Sequence, residues 1–140
     1  MKALIFVIFA WFALATNGLA RIGEDPKQIE ARYGEAGKDL GEQGNVHEVG
    51  YMSGGFLILV SYVNGISQRE GFTNPDHAPL TPEAIQKILG MSAADGTTWV
   101  EKPGEGSDKA WARSDGKAIA ILPAMGKFLF VQDINFVQPK

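Results

Sequence analysis

Residues 109–131 read KAWARSDGKAIAILPAMGKFLFV, and this stretch decides the fold. Asp115-Gly116, between Ser114 and Lys117, is a two-residue loop whose central residues both tolerate positive φ, the strongest short-range sign of a β-hairpin. With that loop Ser114 faces Lys117, so Ala112 opposes Ile119, Trp111 opposes Ala120 and Ala110 opposes Ile121. Each large side chain meets a small one across the ladder. A second turn around residues 123–126 has either two or four residues, and both choices put Ile119 and Ile121 on the face of Phe128 and Phe130.

We therefore expect Ala110, Ala112, Ile119, Ile121, Phe128 and Phe130 to form the core side of an antiparallel sheet, each large side chain contributing roughly 1.5–3 kcal/mol on burial. The other face holds Trp111, Arg113, Ala118, Ala120, Leu122, Lys127, Leu129 and Val131. It is too apolar for an ordinary wetted face and carries two cations. Trp111, Leu122, Leu129 and Val131 with Arg113 and Lys127 make an aromatic and cationic set of the kind that anchors protein interfaces, and these six are the candidate binding residues. The competing reading lays a long loop or the strands of another unit over the same face.

Outward from this stretch, two segments share one helix template. Asp25-Pro26 with Ile29 and Gly34, and Thr81-Pro82 with Ile85 and Gly90, each supply a capping oxygen, a proline at the first helical position, an isoleucine three residues on and a terminating glycine. Strand-like runs follow each helix, led by residues 46–52 and 97–101, and each set contains a hairpin turn, Asn64-Gly65 in the first and Asp115-Gly116 in the second. In the first hairpin a two-residue turn puts Phe56, Ile58, Val60 and Tyr62 across from Ser67, Arg69 and Thr73, with Leu57, Leu59, Glu70 and Phe72 on the reverse side. Four glycines make residues 35–45 a loop. The fold class is α+β: two short helices packed on antiparallel sheet, arranged as tandem helix-plus-meander units at 21–74 and 80–140, or as one domain whose halves share only their punctuation. Residues 74–80, with two prolines, form a fixed joint between the halves, and residues 102–108 form the loosest loop.

Residues 1–20 have the anatomy of a secretory signal peptide: Lys2, an apolar run to Ala15, then small residues at Gly18 and Ala20. The run is shorter than the roughly 20 residues a bilayer core needs, so no stable membrane anchor is expected after cleavage. Residues 21–140 then form a single exported domain, periplasmic or secreted. The 140-residue chain contains no cysteine, which excludes disulfides, thiolate zinc sites and thiol nucleophiles. Removing Lys2 leaves 12 of the 13 basic residues against 16 acidic ones, without the basic stripe that nucleic acid requires.

Chemistry-bearing motifs are sparse. His47 alternates with Val49 and Tyr51 in a strand and His77 lies in the joint beside Asp76, two imidazoles without the spacing of a metal site. Glu101, Glu105, Asp108 and Asp115 fall near the C-terminal loops, where an acid pair could support hydrolysis but turn solvation explains them as well. The glycine-flanked serine elbow and the phosphate loop are absent. No catalytic residue, metal or cofactor is assigned.

Arg21-Ile22-Gly23-Glu24, followed by Ile29, Arg32, Tyr33 and Gly34, resembles the opening of short exported bacterial proteins of unknown role, which implies no activity. The doubled helix-plus-sheet plan is similar to the β-lactamase-inhibitor-like fold, whose members grip a protein on a concave sheet face. This chain departs from it in having one clear helix per unit and no cysteine, so inhibition transfers to no residue. The reading that follows is a non-enzymatic exported protein that binds an envelope or extracellular protein through an apolar sheet face. The alternative is a small exported hydrolase or ligand-binding domain using carboxylates and His77.

Overall fold

The structure, a computed structural model, describes residues 22–35, 37–94 and 96–140. The leader expected at residues 1–20 lies outside them. No helix among the described residues is long and apolar enough to cross a membrane.

The chain runs α1 (Pro26–Tyr33), β1 (Lys38–Gln43), β2 (Val46–Ser53), β3 (Phe56–Val63), β4 (Ile66–Thr73), α2 (Pro82–Met91), β5 (Trp99–Pro103), β6 (Lys109–Arg113), β7 (Ala118–Leu122) and β8 (Phe128–Asp133). It is an α+β fold, a helix followed by a four-stranded meander, twice over. All eight strands join one antiparallel sheet in the order β1-β2-β3-β4-β8-β7-β6-β5. The last strand of each meander pairs with the last strand of the other, Glu70 against Val131 and Phe72 against Leu129.

Both helices start as their sequences dictate. Asp25 accepts from the Gln28 amide while the Gln28 side chain accepts from the Asp25 amide, a reciprocal cap, and Thr81 accepts from the Ala84 amide. Gly34 ends α1 at φ 91°, but Gly90 lies inside α2, which continues to Met91 and is capped at Ser92. The joint is fixed as expected: Asn74 Nδ2 donates to the Ala78 carbonyl, and the Leu80 amide donates to Gly126 in the turn before β8.

Three strand readings change. Residues 38–43 form β1, an edge strand exposed along its whole length, so no alternation of burial marks it. In the β3–β4 hairpin Tyr62 pairs with Ser67 but Ser61 pairs with Arg69, which leaves Gln68 as an extra residue. This bulge shifts everything beyond it by one position, so Glu70 and Phe72 join the face of Ile58 and Val60 while Arg69 and Thr73 cross to that of Leu57 and Leu59.

The third change concerns residues 109–131. Their register is as read: Ala112 opposes Ile119, Trp111 opposes Ala120, Ala110 opposes Ile121, and Ile121 opposes Phe130. The side on which the helices lie is the reverse. Trp111 is 7% exposed, Leu129 0% and Val131 1%, and they share one core with Ile29 and Tyr33 of α1 and with Ile85, Ile88 and Leu89 of α2. Ala110, Ala112, Ile119, Ile121, Phe128 and Phe130 occupy the uncovered face and are only half-buried. The small Ala118 and Ala120, 1% and 0% exposed, stand on the covered side among larger core side chains. Lys87 Nζ of α2 donates to the Gly54 carbonyl in the β2–β3 turn, which ties the second helix to the first meander. The Trp99 indole donates to the Leu89 carbonyl and so belongs to the helix side.

Truncation separates the two faces. Leu129→Ala is expected to cost about 2–5 kcal/mol and Trp111→Ala about 3–5 kcal/mol in urea unfolding. A loss below about 1 kcal/mol at both positions would put this side of the sheet back in contact with solvent.

Candidate functional site

The six residues singled out from the sequence do not form a docking surface. Trp111, Leu122, Leu129 and Val131 are core. Arg113 is 7% exposed; its Nε donates to Asp115 Oδ1 at 2.9 Å and its Nη1 to the Ser92 carbonyl at the C-terminal end of α2. The guanidinium adds a donor and a positive charge at a helix end whose preceding carbonyls accept from the Ser92 and Ala93 amides and the Trp99 indole. Lys127 lies half-buried just before β8, and its carbonyl accepts from Thr73 Oγ1 at 2.8 Å. The cations thus serve a helix end and a strand entry.

The accessible apolar surface is on the reverse side. Across β2, β3, β4 and β8 the pairings Met52–Leu57, Leu57–Thr73 and Thr73–Phe128 form one row, and Gly50–Leu59, Leu59–Gly71 and Gly71–Phe130 form the next. Leu40 at the β1 edge is 48% exposed, Met52 55% and Val100 at the β5 edge 48%. A ridge divides this face along β8. Phe128 and Phe130 stack with centroids 5.6 Å apart and planes 4° from parallel, and the Arg69 guanidinium lies 3.9 Å over the Phe130 ring. Arg69 also donates to Gln138 and faces Phe136 at 5.7 Å, so the C-terminal tail covers one end of the ridge. Burial disfavours the charged form of Arg69, and the aromatic face offsets part of that cost. Phe130 rests on Gly71 so closely that a Cβ there would stand 3.0 Å from the ring.

A depression lies on each side of the ridge. One, of about 260 Å³, is floored by Gly50 and Gly71 and walled by Leu40, Leu57, Leu59 and Phe128, with Lys38 as its single charged residue. The other, of about 320 Å³, lies over Ala110, Ala112, Ile119 and Ile121 and is bordered by Lys102, Glu105 and Asp108. Both are open, shallow and apolar, a form suited to side chains of a partner.

No protein-family model and no curated protein matches this sequence. Among solved structures, the fold is similar to a cysteine-rich secretory protein of Staphylococcus aureus at 12% identity and a TM-score of 0.46. The match covers 81% of this chain and 44% of that one, so this chain spans less than half of the length of that protein.

Of the titratable residues considered from the sequence, His47, Asp76, Asp108 and Asp115 are engaged in local structure, while Glu101 and Glu105 are exposed. His47 Nε2 lies 2.8 Å from Asp39 Oδ1 on the exposed β1 edge, and Asp76 accepts from the Ala78 amide beside His77, which stands exposed at φ 59°. Asp108 accepts from the Ala124 amide and Asp115 from Lys117 and Arg113. Among the described residues no group of three or more His, Cys, Asp or Glu is placed to hold a metal ion.

The carboxylate that sequence reasoning overlooked is Glu70, which the Gln68 bulge turns into the core. Its Oε2 accepts from the Tyr33 hydroxyl at 2.8 Å, its Oε1 has no hydrogen-bond partner, and it is 1% exposed. Glu24, ion-paired with Arg32, is also buried and acts on Glu70 through its charge. Burial pushes the Glu70 pKa up to about 7; the Tyr33 hydrogen bond opposes the shift, and Glu24 adds to it. No substrate can reach a carboxyl so enclosed. Its consequence is for stability: the folded chain holds this proton between the ordinary carboxyl range and about pH 7 while the unfolded chain has released it. Stability from this group is greatest below about pH 4.5 and falls as pH rises to about 7, then levels off. Glu70→Gln is expected to raise the melting temperature at pH 8 and flatten its decline between pH 5 and 7, as followed by thermal unfolding across pH; an unchanged slope would mean Glu70 is ionised throughout.

Proposed function

We propose that this is an exported, non-enzymatic protein that binds an envelope or extracellular protein on the uncovered face of its sheet. The observation that carries this reading is the apolar surface formed by Leu57, Leu59, Ile121, Phe128 and Phe130, which neither helix covers and which the C-terminal tail overlies at one end only. Contiguous apolar surface of this kind marks an interaction site more often than an idle one. The stacked Phe128 and Phe130 supply rigid aromatic area at small entropic cost, and the flanking depressions supply recesses for partner side chains.

Export rests on the leader-like pattern of residues 1–20, a basic start at Lys2, an apolar run and small residues at Gly18 and Ala20. The similarity of the doubled helix-plus-sheet plan to the β-lactamase-inhibitor-like fold points to the same use of a sheet face. The binding role first read onto Trp111 and its neighbours passes to the opposite side of the same strands.

Leu59→Ser with Ile121→Ser is expected to lower stability by only about 1 kcal/mol per site. The pair should nevertheless abolish the specific crosslink formed in the native host and identified by mass spectrometry. Retention of that crosslink, with the folded state intact, would remove the uncovered face from consideration.

A further inference from the structure

The strand register places one row of residues straight across the sheet. From the β1 edge it runs from Lys38 to Gly50, Leu59 and Gly71; it crosses the β4–β8 seam and continues through Phe130, Ile121 and Ala110 to Lys102 on the β5 edge. The six positions between the lysines are apolar or glycine. Lysine therefore stands at both ends of the row, Lys38 at the depression over Leu59 and Lys102 at the depression over Ile121, while the one cation beside its middle, the Arg69 guanidinium over the Phe130 ring, is engaged by Gln138 of the C-terminal tail. Seven inter-strand spacings make the row roughly 34 Å long.

This arrangement restricts what can lie on it. A segment crossing the strands on the face of a sheet gains no ladder hydrogen bonds, so its backbone must satisfy itself, and a helix does that. A helix of about 22 residues spans that length. Its apolar stripe would meet Leu59, Phe130 and Ile121, and its ends would meet lysine. A second copy of this chain laid along the same row would set lysine against lysine, so the charge pattern disfavours self-association there.

We propose, resting on the reading above, that the partner presents an amphipathic helix laid across the strands, apolar at its centre and acidic at both ends. Lys38 and Lys102 fix its ends and direction, and the ridge and the two depressions take its apolar stripe. Glu105 and Asp108 beside Lys102 make that end the less cationic of the two, so Lys38 contributes more to the discrimination.

The test uses the protein purified after export and two fluorescent 22-residue helical peptides with the same apolar stripe, one ending in glutamates and the other in lysines. In low salt the glutamate-ended peptide should bind about tenfold more tightly by anisotropy. Lys38→Glu with Lys102→Glu, both at exposed edge positions, should leave unfolding unchanged and reverse that preference. Leu59→Ser with Ile121→Ser should weaken both peptides alike. Equal binding of the two peptides, still lost in Leu59→Ser with Ile121→Ser, would overturn the acidic-helix proposal and leave the apolar face as a docking surface. Binding of neither peptide would count against the proposal and the reading beneath it together. A sedimentation dimer abolished by Leu59→Ser would put a second copy in the place of the partner and overturn the proposal.

Discussion

The pairing of β4 with β8 is the constraint from which the rest of this molecule follows. Each four-stranded meander, with one short helix, has too little cover to bury its own apolar face. Joined through the register of Glu70 with Val131 and Phe72 with Leu129, the two meanders share one covered side. That side holds Phe72, Leu129 and Val131 at the seam, with α1 and α2 contributing to the same core. The seam also makes the outer side continuous. Gly71 and Phe130, facing each other across it, link the rows of the two halves, and the Phe130 ring occupies the space that a side chain at position 71 would need.

The register at the seam depends in turn on one extra residue. Without the bulge at Gln68, β4 would present Arg69 and Thr73 to the helices and turn Phe72 outward. With it, Phe72 packs edge-on against Phe56 at 6.4 Å in the core, and Arg69 lies on Phe130 outside. The same step brings Glu70 inward. A buried carboxyl paired to one tyrosine is an expensive way to fill a core, and the ionised form would be more expensive still. The fold tolerates it because Tyr33 answers one oxygen and the proton is retained up to about neutral pH.

Much of this was legible in the residues. The helix starts at Asp25 and Thr81, the hairpins at Asn64-Gly65 and Asp115-Gly116, and the pairing of Trp111 with Ala120 follow from local chemistry that tertiary context did not override. What could not be read was which side of residues 109–131 the helices cover. Alternation reports that two faces differ; it names the buried one only when the other is polar. Here Ile119 and Phe130 on one side balance Leu129 and Trp111 on the other, and the prevalence of large residues in the first set pointed the wrong way. The alanines could not decide it either, since two stand on each side, Ala110 and Ala112 outside and Ala118 and Ala120 within. β1 and the Gln68 bulge were illegible for a related reason: an exposed edge has no burial pattern, and a bulge is set by what lies beyond the hairpin.

An uncovered apolar sheet face raises the question of what keeps such a chain from pairing with itself indiscriminately, and the edges answer it. A sheet aggregates most readily through unpaired strand edges, where backbone groups of another chain can extend the ladder. β1 is broken by a register shift between Asp39 and Gly41 and carries Lys38, Asp39 and Glu42; β5 is short, bears Glu101 and Lys102, and ends in Pro103, which has no amide to offer. Both edges are thus poor templates for a further strand. On the proposed function, association runs through side chains on the face, where contact requires complementary shape in place of generic hydrogen bonding. Guarded edges around an open face are compatible with that proposal, because they leave side-chain packing as the route by which another molecule can join the sheet.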